Sequence, residues 1–307
     1  MQLVESADTW LITGASGRLG YQLCQRLVAR GAGVVAHVHE HGMDGAAIRE
    51  IRADLGDFAA VERAVAGSRA RVIVHTAGST DVDACEARPD EARRIHVVAT
   101  ANLARAAQRT GAQFVYISTD HLWDGTRPMV DEDTPTAPMN TYARTKREGE
   151  VVALAECHHA LVLRTNIFGR GRPWRPSFSD WIESGLRERR KLTMFTDVYF
   201  TPIAMELLCP IIVEMVRRDA AGLYHAAGSE RLSKCDFAMR LADAFGYDAS
   251  PIVPVSVADV ALTAPRPNDM SLATEKIARF LGRPMPDCRE SLGALRNTAG
   301  EPRVAVN

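Results

Sequence analysis

No apolar run in this 307-residue sequence approaches the roughly 20 residues a helix needs to cross a bilayer. Nor is there an excess of one charge. The 37 Lys and Arg stand against 38 Asp and Glu, a formal net charge of -1. That balance gives no electrostatic pull toward nucleic acid or an acidic membrane surface. Cys24, Cys85, Cys157, Cys209, Cys235 and Cys288 are scattered, with no C-x-x-C pair. This speaks against zinc or a disulfide framework and for reduced, buried thiols, so no metal is expected. The opening "MQLVESADTW" carries acids and lacks the apolar stretch of a secretory leader. Internal repeats and low-complexity tracts are absent too. The expectation is a cytoplasmic protein that needs no nucleic acid or membrane. Its apolar content of 46 % is ample for a globular core.

What is there alternates. "TWLITG", "GVVAHV", "RVIVHTAG", "QFVYISTD" and "ALVLRTNIFG" read as strands, and "IREIRADL" contains another. Between them run helical patterns: Arg18 to Ala29, Phe58 to Ala66, Pro89 to Arg109 and one beginning in "NTYARTKREGE". The Pro89–Arg109 pattern predicts an inner face of Ile95, Val98, Leu103 and Ala106. Strands of continuous apolar character are buried on both faces, and alternation with helices makes the sheet parallel. The predicted fold class is therefore α/β, a Rossmann-like doubly wound parallel sheet with a smaller C-terminal domain. Residues 1–168 form the dinucleotide-binding part, with elements from about 200–245 returning to it. Residues 169–199 and 246–307 form the smaller substrate-binding region. Helices are expected at Phe178–Arg189, Ala204–Arg218 and Lys234–Phe245. In such folds ligands sit at the carboxyl ends of the strands, where "TGASG", "HTAGST" and "STDHLWDG" gather small and polar residues.

Gly14, Gly17 and Gly20 stand three apart between a strand and a helix. Glycine there allows a tight turn and lets backbone approach a pyrophosphate, which the helix N-terminus then favours. The spacing is a variant of the dinucleotide fingerprint. Ser16, Arg18 and Leu19 share that loop and helix start. An acid at the end of the second strand would bind the ribose diol of NAD. Here Val38 occupies that place, followed by His39, with Glu40 one or two positions late. The missing acid favours NADP(H), leaving NAD(H) as the other candidate, with His39 and Arg18 as contacts for the 2′-phosphate. Asp54, followed by Leu55, is placed for the adenine or as a helix N-cap.

Tyr142 and Lys146 are four apart on a helix, hence on one face. A tyrosine, with an ordinary pKa near ~10, is a sluggish acid, and a nearby ammonium favours its phenolate. "STD" adds hydroxyls at Ser118 and Thr119 to hold a carbonyl oxygen, with Asp120 beside them. A Tyr-x-x-x-Lys pair alone is common; its position after a glycine loop and "STD" gives it meaning.

With these pieces the chain resembles the extended short-chain dehydrogenase/reductases, and within them the dTDP-4-dehydrorhamnose reductase branch. "TGASGRLG", "VIVHTAGSTDVDACEARPDEA", "NLARAAQRTGAQFVYISTDHLWDG", "NTYARTKREGE", "LRTNIFG" and "APRPNDMSLATEKIARFLG" run in the family's order along most of the chain. The resemblance implies that Tyr142 donates a proton to the substrate oxygen and Thr119 hydrogen-bonds the carbonyl. It implies that Lys146 holds the nicotinamide ribose and lowers the tyrosine pKa. The glycines would carry the pyrophosphate, with Ala77 and Gly78 along the cofactor. NADPH would reduce a keto group, often on a dTDP-linked deoxyhexose.

Some positions depart from the family. His121, then Leu122 and Trp123, follow "STD" where tyrosine is frequent, and His96 replaces an asparagine that supports the site. "GRGRPWRPSFSDW" differs from the usual substrate loop; Arg170, Arg172 or Arg175 could clasp a diphosphate and Trp174 stack on a base. Asp120, His121, Trp123, Asn166, Trp174 and Tyr199 are the substrate-side candidates, with Thr201 beside Tyr199 in "MFTDVYFTPI". Three functions compete: a nucleotide-sugar ketoreductase, an epimerase or dehydratase, and an NADP-binding regulatory subunit like the beta subunit of methionine adenosyltransferase. The Asp120-His121 pair lacks the Asp-Glu of the dehydratases. A homodimer is a candidate assembly.

Overall fold

The structure, a computed structural model, describes residues 8–43, 48–260 and 263–298. Its centre is a seven-stranded sheet made of β1 (Thr9–Thr13), β2 (Gly33–His37), β3 (Arg49–Ile51), β4 (Val72–His75), β5 (Gln113–Ile117), β6 (Ala160–Arg164) and an edge strand, Gly222–His225. The order across the sheet is Gly222–His225, β6, β5, β4, β1, β2, β3, and every pairing is parallel. Strand order reverses between β1 and β4. That reversal opens a crevice at their carboxyl ends.

Both sheet faces are covered, which is why the strands lack polar alternation. Trp10 and Ile12 point to the face carrying α1 (Arg18–Ala29) and α8 (Met205–Arg217), where they meet Leu23, Leu208 and Ile212. Leu11 points the other way, into a layer with Ile73, Phe114, Val61 and Leu103. Those last two come from α2 (Phe58–Ser68) and α5 (Ala99–Thr110). Each such buried aliphatic or aromatic side chain contributes about 1.5–3 kcal/mol.

The long helix predicted over Pro89–Arg109 is interrupted. It consists of α4 (Pro89–Arg93), a π-helical turn over Arg94–Val98, and α5. A residue on an α-helix advances about 100° round the axis, so a widened turn rotates the face that follows. His96 and Val97 are buried as a result, whereas Ile95 and Val98 are only half-buried. Leu103 and Ala106 point inward as the periodicity predicts.

After β5 comes α6 (Thr141–Glu156), capped by the Asn140 side chain on the Ala143 N–H. Past β6, a separate apolar cluster forms around Phe168, Phe200 and Phe237, using α7 (Phe178–Arg187), α9 (Lys234–Phe245) and α11 (Cys288–Thr298). Strand Leu192–Phe195 pairs in parallel with Ile252–Val255 beside it. The segment from Met205 to His225 returns to the main sheet.

Candidate active site

The first loop is fixed by crowding. Gly14 adopts φ +66°, and a Cβ on it would lie 2.7 Å from the Ala77 backbone. A Cβ on Gly20 would collide with the Gly14 carbonyl oxygen. The Gly17 N–H donates to that same carbonyl at 2.9 Å, closing the turn. Gly17 is also the N-cap of α1 and offers no side chain to it. The first-turn N–H groups of Arg18 and Leu19 are therefore left for a ligand, the arrangement that favours an anion.

A cavity of about 250 Å³ opens beside this helix end. Gly17, Arg18, Leu19, Ala77 and Gly78 line it, together with Thr119, Tyr142, Lys146 and Asn166. Tyr142 and Lys146 are both buried on α6. Burial pushes the Tyr142 phenol up to about 12, opposed by its hydrogen-bonding neighbour Thr119 and, more weakly, by the Arg18 guanidinium. The cation that favours the phenolate in the free protein is thus Arg18. Lys146 instead donates to the Ile117 carbonyl at 2.7 Å and sits 4.1 Å from the Tyr116 ring centroid. Burial draws its ammonium down to about 7, against the opposing pull of Glu150.

Two imidazoles clamp the Tyr142 ring edge-on, His96 at 5.7 Å and His121 at 5.6 Å. His96 Nε2 lies 3.0 Å from the Ser79 carbonyl, so it carries the proton. Nδ1 then accepts from the Thr145 hydroxyl at 2.8 Å. Burial lowers His96 to about 3, so it is neutral. The π-helical turn is what brings this ring in, where it braces the β4 loop against α6. Behind Lys146, Glu150 receives a two-pronged pair from Arg164 at 2.8 and 2.9 Å, and the Ser118 hydroxyl at 2.6 Å.

The sequence profile of the RmlD substrate binding domain family matches residues 9–299. The chain belongs to this family. It is 30 % identical over 304 residues to methionine adenosyltransferase 2 subunit beta of Xenopus tropicalis, covering 92 % of this chain and 86 % of that one. It is 28 % identical over 282 residues to dTDP-4-dehydrorhamnose reductase of Salmonella typhimurium, covering 88 % and 90 %. Its fold matches the crystal structure of dTDP-4-dehydrorhamnose reductase from Bacillus anthracis in complex with NADP, with a TM-score of 0.82. That match is at 26 % identity and covers 94 % of this chain and 99 % of that chain.

Not every residue expected at an RmlD-type site reaches the cavity. Ser118 does line the cavity, but its hydroxyl donates to Glu150, which leaves Thr119 as the hydroxyl for a carbonyl oxygen. Asp120 is buried and holds the Asn166 amide, and both line the cavity with His121. Ser16 is half-buried in the glycine loop. His39 is exposed after β2, with Glu40 3.9 Å away; Val38 before it is buried. Asp54 takes the Gly56 N–H and pairs with Arg94, while the N-cap of α2 is Asp57. Leu55 packs at the margin of the second core layer. Trp123 is buried behind the site, its ring under Arg164 at 5.0 Å and edge-on to His225. Tyr199 lies beneath Arg231 at 3.5 Å, and Thr201 Oγ1 accepts the Leu272 N–H. Trp174 stacks on His41, near the end of β2.

Thr165, Thr80 and Lys234 are among the residues not singled out from the sequence. Thr165 and Thr80 line the cavity. Both stand in strand-end runs ("RTN" and "HTAGST") whose polarity is visible in the sequence. Lys234 is half-buried, 3.3 Å from the Phe200 ring centroid. Burial lowers it to about 8, with Asp120 pulling the other way. As the first residue of α9, nothing in its neighbours marked it.

Proposed function

We propose that this chain is an NADPH-dependent ketoreductase acting on a nucleotide-linked deoxysugar of the dTDP-4-dehydrorhamnose type. The observation that carries this reading is the convergence of Thr119, Tyr142 and Lys146 on one cavity with the glycine loop. The cofactor fits the residues present: an uncapped helix end for its diphosphate, a glycine cradle that any side chain would fill, and no acid at the end of β2. When bound, it supplies hydride to the carbonyl carbon. Thr119 holds the carbonyl oxygen, and Tyr142, kept protonated by burial, gives that oxygen its proton. Arg18 and Lys146 are the cations on hand to stabilise the phenolate that results. His96 and His121 fix the ring without adding charge, because burial lowers both. The division of labour we infer assigns cofactor binding to residues 1–168 with the returning segment, and sugar binding to the smaller region past β6.

The test is NADPH oxidation with a panel of dTDP-4-keto-6-deoxy sugars, wild type against Tyr142→Phe. The expected loss is about 10²–10⁴-fold, the range for a general acid. Equal turnover by the variant would remove Tyr142 from the chemistry. A second reading, a regulatory subunit that binds NADPH without turnover, is favoured by the similarity to methionine adenosyltransferase 2 subunit beta. Tight NADPH binding with no turnover across the panel would select it.

A further inference from the structure

We propose that Arg18 and Arg175 form a two-arginine clasp for a diphosphate, closed across the cavity mouth by the segment 170–176. This rests on reading the cavity as a dinucleotide site. Arg18 belongs to the cofactor loop; Arg175 arrives from beyond β6, on the substrate side. Both guanidiniums nevertheless turn to one hydroxyl, Thr80 Oγ1. Arg175 Nη2 is 2.9 Å from it and Arg18 Nη2 3.4 Å. Both line the cavity.

Two cations sharing a neutral hydroxyl repel each other, and neither has a carboxylate within 4.0 Å among the described residues. Burial and the Arg175 charge together hold Arg18 below its ordinary range. The other arginines of the segment are engaged differently. Arg170 pairs with Glu183 and Asp180, and Arg172 lies over the Tyr21 ring at 3.7 Å and the Trp174 ring at 4.5 Å. Trp174 in turn stacks on His41 at 4.3 Å. Aromatic contacts therefore seat the segment on the cofactor-binding half and carry Arg175 to Arg18. A diphosphate offers charge to relieve both guanidiniums and oxygens that match their forked N–H groups.

Two ligands bring that group: the dinucleotide cofactor and a nucleotide sugar. Titration of the full chain with NADPH and separately with dTDP distinguishes them, using wild type, Arg175→Ala and Arg175→Lys. The exposed position of Arg175 leaves folding intact. Arg175→Ala is expected to raise the Kd of at least one of the two about tenfold, or about 1.4 kcal/mol. Arg175→Lys should restore part of the loss, since it keeps the charge without the fork. A raised Kd for NADPH places the clasp on the cofactor; a raised Kd for dTDP alone places it on the substrate. Both unchanged in Arg175→Ala overturns the clasp. Because the readout is binding, a protein that holds both ligands but reduces no keto sugar would refute the reductase reading and leave the clasp standing.

Discussion

Lys146→Met should make the free protein more stable while weakening NADPH binding. The Lys146 ammonium is 6 % exposed and has fallen from an ordinary 10.5 to about 7, chiefly through burial. At ~1.4 kcal/mol per pH unit, carrying that charge costs the folded state about 5 kcal/mol below pH 7. Methionine has similar length and no charge, but it abandons the Ile117 carbonyl, a loss of about 1–3 kcal/mol. The net gain expected at pH 6 is about 2–4 kcal/mol. The pH dependence follows from the direction of the shift. Below pH 7 folded and unfolded chains both carry the proton, so the full penalty applies. Between pH 7 and 10.5 only the unfolded chain binds it, so wild-type stability rises with pH. The advantage of the variant should therefore shrink to near parity by pH 9. Urea denaturation of both proteins at pH 6 and pH 9 measures this directly. A variant less stable than wild type at pH 6, or an advantage independent of pH, would refute the argument.

Glu150→Gln should cost about 3–5 kcal/mol in the same denaturation assay, because it strands the buried Arg164 charge; a loss near zero would mean the pair is solvated. NADPH should bind more tightly than NADH, since β2 ends in buried His37, followed by buried Val38, with no acid placed for a ribose diol. Fluorescence titration with both cofactors checks this, and a clear preference for NADH would assign Glu40 to the ribose.

The parts of the site that were legible in sequence are those set by local rules. A glycine triplet between strand and helix can be read from spacing; at Gly14 close packing against Ala77, and at Gly20 the Gly14 carbonyl, forbids a side chain. Tyr142 and Lys146 share a helix face by periodicity, and "STD" ends a strand. The rest depends on residues distant in sequence. Ser118 looks as available as Thr119 until Glu150 and Arg164, from α6 and β6, are brought beneath it. The π-helical turn leaves no mark on the apolar pattern, so within it the buried positions are His96 and Val97 in place of the expected Ile95 and Val98, while Leu103 and Ala106 beyond it face inward as expected. The spacing suggested that Lys146 tunes Tyr142, yet in the free protein the lysine is tied to the Ile117 carbonyl and Arg18 supplies the charge. Trp174 is aromatic and exposed, which fits base stacking, but its partner His41 lies on the cofactor side.

The central claim is that this cavity carries out ketone reduction. Its most direct test supplies NADPH deuterated at the transferable position with a dTDP-4-keto-6-deoxy sugar, and reads the product by mass spectrometry. The account requires one deuterium on the former carbonyl carbon with wild type and labelling slowed about 10²–10⁴-fold with Tyr142→Phe, while the variant still binds NADPH. Bound NADPH with no label transferred to any sugar of the panel would contradict it.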